Sequence, residues 1–406
     1  MAASATIGVT LRQARDDRRR ILAVACGVHA LHDGFTDLIY VLLPVWQAEF
    51  GLSFAALGVL RMLFAGAMAG LQMPASWLAV RWGGPLVLAI GTVLAGGAYV
   101  TIGLTSAGFV LLVVVLLIGG AGAATQHPIG SSLVATAYEA QGSRGPLGTY
   151  NFAGDLGKMA IPATTAWLMA VLTWRSSVGI IGAIGLAAAA AILILLPRNA
   201  RTSLRSAGEP VTGHAGTITT PRQRGAFPLL LAIGVLDSGT RMGFLAFLPF
   251  VLRAKDATTP TIGLALTLIF AGGAVGKLAC GWLGARLGVL RTVLLTELAT
   301  ALGIVAIGPL PLFGALACLP VIGVALNGTS SVLYGTVPEL VPPDRREHAF
   351  GLFYTGTIGG GAIAPVAYGF AGDAFGPTHA IFIVAVVCLL TLPLAWALRP
   401  SLQLRP

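Results

Sequence analysis

The stretch Ile21–Trp46, ILAVACGVHALHDGFTDLIYVLLPVW, decides how the chain is read. It is long and apolar enough to cross a bilayer, whose ~30 Å hydrocarbon core needs about 20 helical residues. Its middle nevertheless carries His29, His32, Asp33 and Asp37. One unpaired charge at that depth costs at least ~3 kcal/mol, so a plain anchor would not keep four ionisable groups there. His29, Asp33 and Asp37 recur at every fourth residue and lie along one side of a helix, with His32 one residue round from Asp33. That side is expected to face protein or water rather than lipid.

Composition extends this reading to the whole chain. Of 406 residues 56% are hydrophobic and only 10% charged, where a soluble domain has about 25% charged. The 54 glycines suit helices that pack closely in lipid, where small residues let backbones approach. Further apolar spans are expected at 55–79, 86–105, 108–137, 147–172, 177–197, 228–252, 261–284, 292–310, 313–340, 349–372 and 380–398. With the first they make twelve, so the fold class is an all-α, multi-pass membrane protein. The first span is too long and too polar at its centre for a cleavable signal peptide, and no small-residue cleavage site follows it. Cys26, Cys280, Cys318 and Cys388 all fall in apolar segments without paired spacing, and neither a disulfide nor a metal site is expected.

The formal charge of +10 follows topology. Arg12, Arg15, Arg18, Arg19, Arg20, Arg81, Arg144, Arg198, Arg201, Arg205, Arg222, Arg224, Arg286, Arg291, Arg345, Arg346, Arg399 and Arg405 fall on one side of the spans, against Arg175, Arg253 and Lys255 on the other. Lys and Arg accumulate on the cytoplasmic side, so both termini are expected inside. The basic balance therefore does not imply a nucleic acid.

The chain also repeats itself. Leu42–Trp46, LLPVW, matches Phe247–Val251, FLPFV, and Ser76–Gly83, SWLAVRWG, matches Gly281–Gly288, GWLGARLG, at one common offset. Gly148 and Pro162 match Gly351 and Pro365 at a slightly shorter one. A duplication of six-helix units follows. The expected organisation is a cytoplasmic arm (1–20), an N-terminal bundle (21–197), a cytoplasmic linker (198–227), a C-terminal bundle (228–398) and a cytoplasmic tail (399–406).

Two pseudo-symmetric halves of six spans, a basic middle loop and a repeated G-x-L-x-D-R-x-G-like turn after the second and eighth spans resemble the major facilitator superfamily over essentially the whole chain. The usual acid of that turn is Val80 in one half and Ala285 in the other, while Arg81, Gly83, Arg286 and Gly288 remain as gating candidates. At finer scale the chain resembles the fosmidomycin-resistance type of transporter. The residues that carry this are His29 and Asp33, the HP-x-x-SS run at His127, Pro128, Ser131 and Ser132, and GDLGKMAIP at Gly154–Pro162, where Asp155 and Lys158 replace uncharged polar residues of the pattern. The resemblance implies alternating access and a substrate cavity between the halves.

Each intramembrane charge has a functional and a structural reading. Asp33 is either a proton carrier or half of an ion pair; Asp37, nearer the outside, shares that choice, and His29 and His32 either assist it or join helices. Asp155 and Lys158, three apart, and Asp237 and Arg241, four apart, can each neutralise locally or hold a substrate. Lys277 has no acid three or four positions away and must pair across helices, snorkel or meet an anion. Arg61 is close enough to its span end to snorkel, and Glu297 and Glu339 are read as contacts to arginines of cytoplasmic turns. Pro128 opens the fourth span beside His127, and Asn327 is a lining candidate in the tenth.

There is no phosphate-binding loop and no recognisable catalytic or metal-ligand cluster. The chain is accordingly read as neither an enzyme nor a cofactor protein, but as a monomeric secondary transporter of the cytoplasmic (inner) membrane. Its partners are the lipid bilayer, protons and a small-molecule substrate. Proton coupling is assigned to Asp33, His29, His32 and Asp37, and substrate binding to Lys158, Asp155, Asp237, Arg241, Lys277, His127 and Asn327. The first reading, which the resemblance implies, is proton-coupled export of a small anionic or zwitterionic compound or drug. Uptake of an organic acid by proton symport and a transporter-shaped membrane sensor are the alternatives.

Overall fold

The computed structural model describes residues 2–105, 108–196, 225–342 and 345–402, and among them the regular structure is helical throughout. Most of the 198–227 segment with its five arginines, and Arg405, lie outside the described residues. Nine of the described helices are long and apolar enough to cross a membrane, and Phe54–Gly70 with Gln72–Trp82, meeting at a 42° bend, supply a tenth crossing. Ala2–Phe50 and Arg144–Leu168 complete the expected twelve. Their apolar runs are the ones interrupted by His29, Asp33 and Asp37 and by Asp155 and Lys158.

Apolar side chains cover the outside as well as the core. Leu278 and Phe313 are 80% and 83% exposed, an arrangement that water disfavours and a lipid medium does not. Association of such helices depends on close packing more than on expulsion of water. Gly157 in the fifth span shows how close: a Cβ there would run into the carbonyl of Ala30 in the first.

The described chain divides into two compact units. One contains the first helix through Leu38, the run Gly66–Ile161 and the chain from Val171. The other contains Ile39–Ala65, Pro162–Ala170 and the helices from Ala226 onward.

The duplication is written into the backbone. Pro44 and Pro249 lie inside the first and seventh helices at matching positions. After each helix comes the same left-handed residue, Gly51 at φ 62° and Asp256 at φ 63°. The next N–H closes the same bond, Leu52 to the Gln47 carbonyl at 3.3 Å and Ala257 to the Leu252 carbonyl at 3.1 Å. The following hydroxyl then caps the next helix, Ser53 accepting from the Ala56 N–H and Thr258 from the Thr261 N–H. The basic turns agree too. Gly83 at φ 95° and Gly288 at φ 81° each donate to the carbonyl four residues back, which explains why glycine is kept where the acid is not. Arg286 lies 4.2 Å from the centre of the Trp282 ring, and Arg81 is exposed.

Within the second unit, the second and eleventh spans meet backbone to backbone at Gly58 and Pro365. The Asp373 carboxylate clasps them, accepting the Phe54 and Ala55 N–H groups at 2.6 and 3.0 Å. This satisfies two donors at the start of the second span and places a negative charge at its positive end.

Two stability predictions follow from these contacts. Gly157→Ala is expected to cost about 1–3 kcal/mol, since the added methyl must push the first and fifth spans apart; unfolding of the purified protein in detergent reads the loss, and an unchanged midpoint would show that the contact is not tight. Asp256→Gly is expected to raise stability by about 0.5–1 kcal/mol by removing a side chain from a left-handed residue, and a fall in the same measurement would mean that the Asp256 side chain holds the turn.

Candidate functional site

The fifth helix approaches the first so closely that the charged middle of each meets the other. Gly154 is part of the reason: a Cβ there would come within 2.7 Å of Asp33 Oδ2 and 2.8 Å of the His29 ring. Without that methyl, Lys158 one turn further along reaches across to Asp33, with Nζ 3.3 Å from Oδ2. His29 Nε2 lies 3.4 Å from the same oxygen, and His127 Nε2 from the fourth span is 3.6 Å from Oδ1. One carboxylate therefore has a lysine and two imidazoles around it, drawn from three helices.

The shell around these groups fixes their orientation. His29 Nδ1 is 2.8 Å from the Tyr150 carbonyl, which can only accept, so the Nδ1 proton is committed. Nε2 is buried, facing Asp33, with no hydrogen-bond partner among the described residues. The imidazole stacks on the Tyr150 ring at 4.1 Å and meets the His127 ring edge-on at 5.2 Å. Tyr150 is held in turn by Gln126, whose Nε2 donates to the phenol oxygen at 3.0 Å. The fourth span is interrupted between Ala123 and Gln126, just before His127–Pro128, and the His127 carbonyl is taken by Ser131 Oγ at 2.6 Å.

Exposure makes the cluster one-sided. The Asp33 side chain is 10% exposed, whereas those of Lys158 and His127 are 31% and 36% exposed. Any solute reaching the group meets the ammonium and the outer imidazole first. His29, Asp33 and His127 offer ligand atoms within 4.8 Å of one another. A divalent cation does not fit this arrangement, because the ammonium of Lys158 already supplies the positive charge at Asp33 Oδ2.

His32 is not brought into this group. Its Nε2 is 3.0 Å from Thr92 Oγ1 of the third span, and the Thr92 hydroxyl donates onward to the Leu88 carbonyl. Asp37 and Asp155 are buried nearby, at 5% and 8% exposure.

The remaining candidates belong to the other unit. Asp237 is buried and faces the charge of Arg241, whose Nη1 donates to Ser330 Oγ at 3.2 Å. Asn327 Nδ2 donates back to the Gly323 carbonyl of its own helix, and Lys277 is exposed. Two expectations are corrected here. Arg61 is only 4% exposed and lies over the Tyr40 ring at 5.1 Å, so it packs inward instead of snorkelling. Glu297 does not serve a cytoplasmic turn: it is 1% exposed, lies near Asp237, and accepts hydrogen bonds from Cys388 Sγ at 3.1 Å and Thr391 Oγ1 at 3.3 Å. Gln126, Thr92, Cys388 and Thr391 were not singled out by sequence reasoning. Adjacency to His127 is the signal that marks Gln126, and the repeat offset from Glu297 is the one that marks Thr92.

Comparison with known proteins agrees with this architecture. The family model described as Major Facilitator Superfamily matches residues 25–250 and 229–405. Among curated proteins, the chain is 27% identical to the uncharacterized MFS-type transporter YfnC of Bacillus subtilis (strain 168), over 95% of this chain and 94% of that one. It is 26% identical to a probable L-galactonate transporter of Escherichia coli (strain K12), over 58% of this chain and 54% of that one. Among solved structures, a bacterial homolog of the human lysosomal transporter Spinster, inward-facing and occupied, superposes with a TM-score of 0.73 at 15% identity, covering 95% of this chain and 97% of that one. The nucleoside transporter NupG does so with a TM-score of 0.72 at 14% identity, covering 95% and 100%. Twelve crossings, a duplicated backbone and a family match to both halves have one conclusion: the chain belongs to the Major Facilitator Superfamily.

Proposed function

We propose that this transporter couples movement of a small organic anion to protons, with Asp33 as the proton acceptor and Lys158 as the group shared between Asp33 and substrate. The observation that carries the reading is the contact of one buried carboxylate with both an ammonium and an imidazole. While Asp33 is ionised, Lys158 is neutralised by it. A proton arriving on Asp33 or on His29 Nε2 weakens that pairing and leaves the ammonium available to a carboxylate or phosphonate. Proton and anion then bind more tightly together than apart, which is the thermodynamic signature of symport. The relative named as a probable L-galactonate transporter supports a sugar acid as the type of anion.

A second reading keeps the same residues and reverses the sign. For a zwitterionic compound, the cationic group competes with the proton for Asp33, and the protein exports it in exchange for protons. The fosmidomycin-resistance-like motifs around His29, Asp33, His127 and Gly154–Pro162 favour this alternative. Either way the bundles 21–197 and 228–398 act as the alternating units of a monomer in the cytoplasmic membrane, with both termini inside, and the turns at Arg81, Gly83, Arg286 and Gly288 act at the gate.

Purified protein in liposomes, with labelled galactonate as probe and an imposed pH gradient, tests both. External acid is expected to drive uptake under symport and release under antiport. Asp33→Asn is expected to lower gradient-driven accumulation at least tenfold while leaving exchange at equal pH measurable; accumulation at the wild-type level would remove Asp33 from the coupling. Lys158→Gln is expected to weaken probe binding at least tenfold, about 1.4 kcal/mol, and unaltered affinity would assign the anion to another cation.

A further inference from the structure

A cavity of about 550 Å³ lies between the first, fifth and sixth spans, within the first unit. Every residue lining it is aliphatic or glycine, and small ones give it width: Gly27, Ala30, Gly157, Ala160, Ala188 and Ala191. It opens outward, because Leu156, Ile184 and Leu195 on its walls are exposed. A Cβ at Gly27 would meet nothing within 4 Å, so packing within the protein does not account for the glycine there. The space is one that the surroundings fill.

The cavity has a length and a direction. Ile21 and Leu196 share one core cluster, and a Cβ at Gly185 would touch the Phe35 ring, so the first and sixth spans run side by side in opposite senses. From Leu195 to Ile184 the lining covers eleven residue steps of helix, ~16 Å. That is about half of a ~30 Å hydrocarbon core, so the cavity runs from one interface to mid-membrane, the depth of a single leaflet. Spread over that length, 550 Å³ corresponds to a channel ~7 Å across, which an extended hydrocarbon chain enters and an α-helix, ~10 Å across, does not.

The end at Ala23 and Leu195 is the charged one. In the first helix, continuous from Ala2 to Phe50, Arg19 stands four residues before Ala23, and Arg20 stands three before Ala23 and four before Val24. Both share the stripe that lines the cavity, and both are exposed. Asp16 and Asp17 lie further from the groove, and with Arg15 and Arg18 the segment keeps a net positive charge. A guanidinium fork matches phosphate oxygens, and arginines beside a bilayer attract anionic headgroups. We infer that the groove binds one anionic phospholipid, with an acyl chain between the three spans and its phosphate on Arg19 and Arg20. A zwitterionic lipid brings an ammonium with its phosphate and gains less at this mouth. In the orientation with both termini inside, the lipid belongs to the cytoplasmic leaflet. The inference uses the membrane embedding of the chain and neither proton coupling nor the direction of transport, so it and the Asp33 assignment fail in different assays.

Native mass spectrometry of the full-length protein in detergent, titrated with phosphatidylglycerol and phosphatidylcholine of identical chains, tests it. The wild type is expected to retain one phosphatidylglycerol at a concentration at least about tenfold below that needed for phosphatidylcholine. Replacing both Arg19→Gln and Arg20→Gln is expected to reduce that preference at least about fivefold while a lipid still binds. Gly27→Phe, whose ring extends into open space, is expected to lose retention of both lipids. Gly27→Leu stands in if thermal unfolding shows that Gly27→Phe is not folded. Equal retention of the two lipids by the wild type, an unchanged preference in the arginine variant, or full phosphatidylglycerol retention with the groove filled would overturn the inference. A dimer that the Gly27 variant dissociates would overturn it as well, by assigning the groove to a second copy of the chain.

Discussion

A carboxylate taken from water into a medium of low dielectric faces a penalty of several kcal/mol even after the protein relaxes around it. Asp33 meets that constraint in the middle of a membrane-crossing helix, and much of the first unit is arranged around its compensation. The fifth span must come close enough for Lys158 to arrive, which requires backbone contact at Gly157 and room at Gly154 for the Asp33 and His29 side chains. The fourth span must break so that His127 turns inward, and Tyr150 and Gln126 must hold the His29 ring in place. Close packing and charge compensation are thus one requirement here, because the ion pair exists only at the separation that glycine permits.

Duplication supplies the frame on which this chemistry differs between halves. Left-handed turns, prolines and helix caps recur pair by pair, down to the same hydrogen bonds. The side chains that meet in the middle of the spans do not recur. At the offset that matches Gly83 with Gly288, His32 and Thr92 of one half correspond to the acids Asp237 and Glu297 of the other.

Most of the fold was legible because hydrophobic length is a local property, and the twelve spans could be read one at a time. His29 and Asp33 were legible for the same reason, as polar residues where lipid forbids them. Their partners were harder. Spacing along one helix suggested Arg241 for Asp237, which the structure bears out, but spacing reports only neighbours on that helix; the Lys158 contact with Asp33 depends on how two distant helices cross. Glu297 was misread because its depth in the span gave no hint that Asp237 faced it, although the repeat carried that information once His32 and Thr92 were seen to touch. Arg61 was misread because proximity to a span end permits snorkelling but does not compel it when a Tyr40 ring offers an inward seat.

The clasp at Asp373 has a consequence for motion. The backbone corner formed by Gly58 and Pro365 has a twin at Gly263, which packs against the Pro162–Ala166 stretch. The residue matching Asp373 at that twin is Ala170, whose methyl accepts no hydrogen bond. Any excursion that parts these helix ends therefore gives up two charge-assisted hydrogen bonds at the Asp373 corner, a cost that Ala170 does not add at the other. The duplication is thus unequal at its corners: one carries a carboxylate latch on two backbone N–H groups, and at the other the matching residue is an alanine.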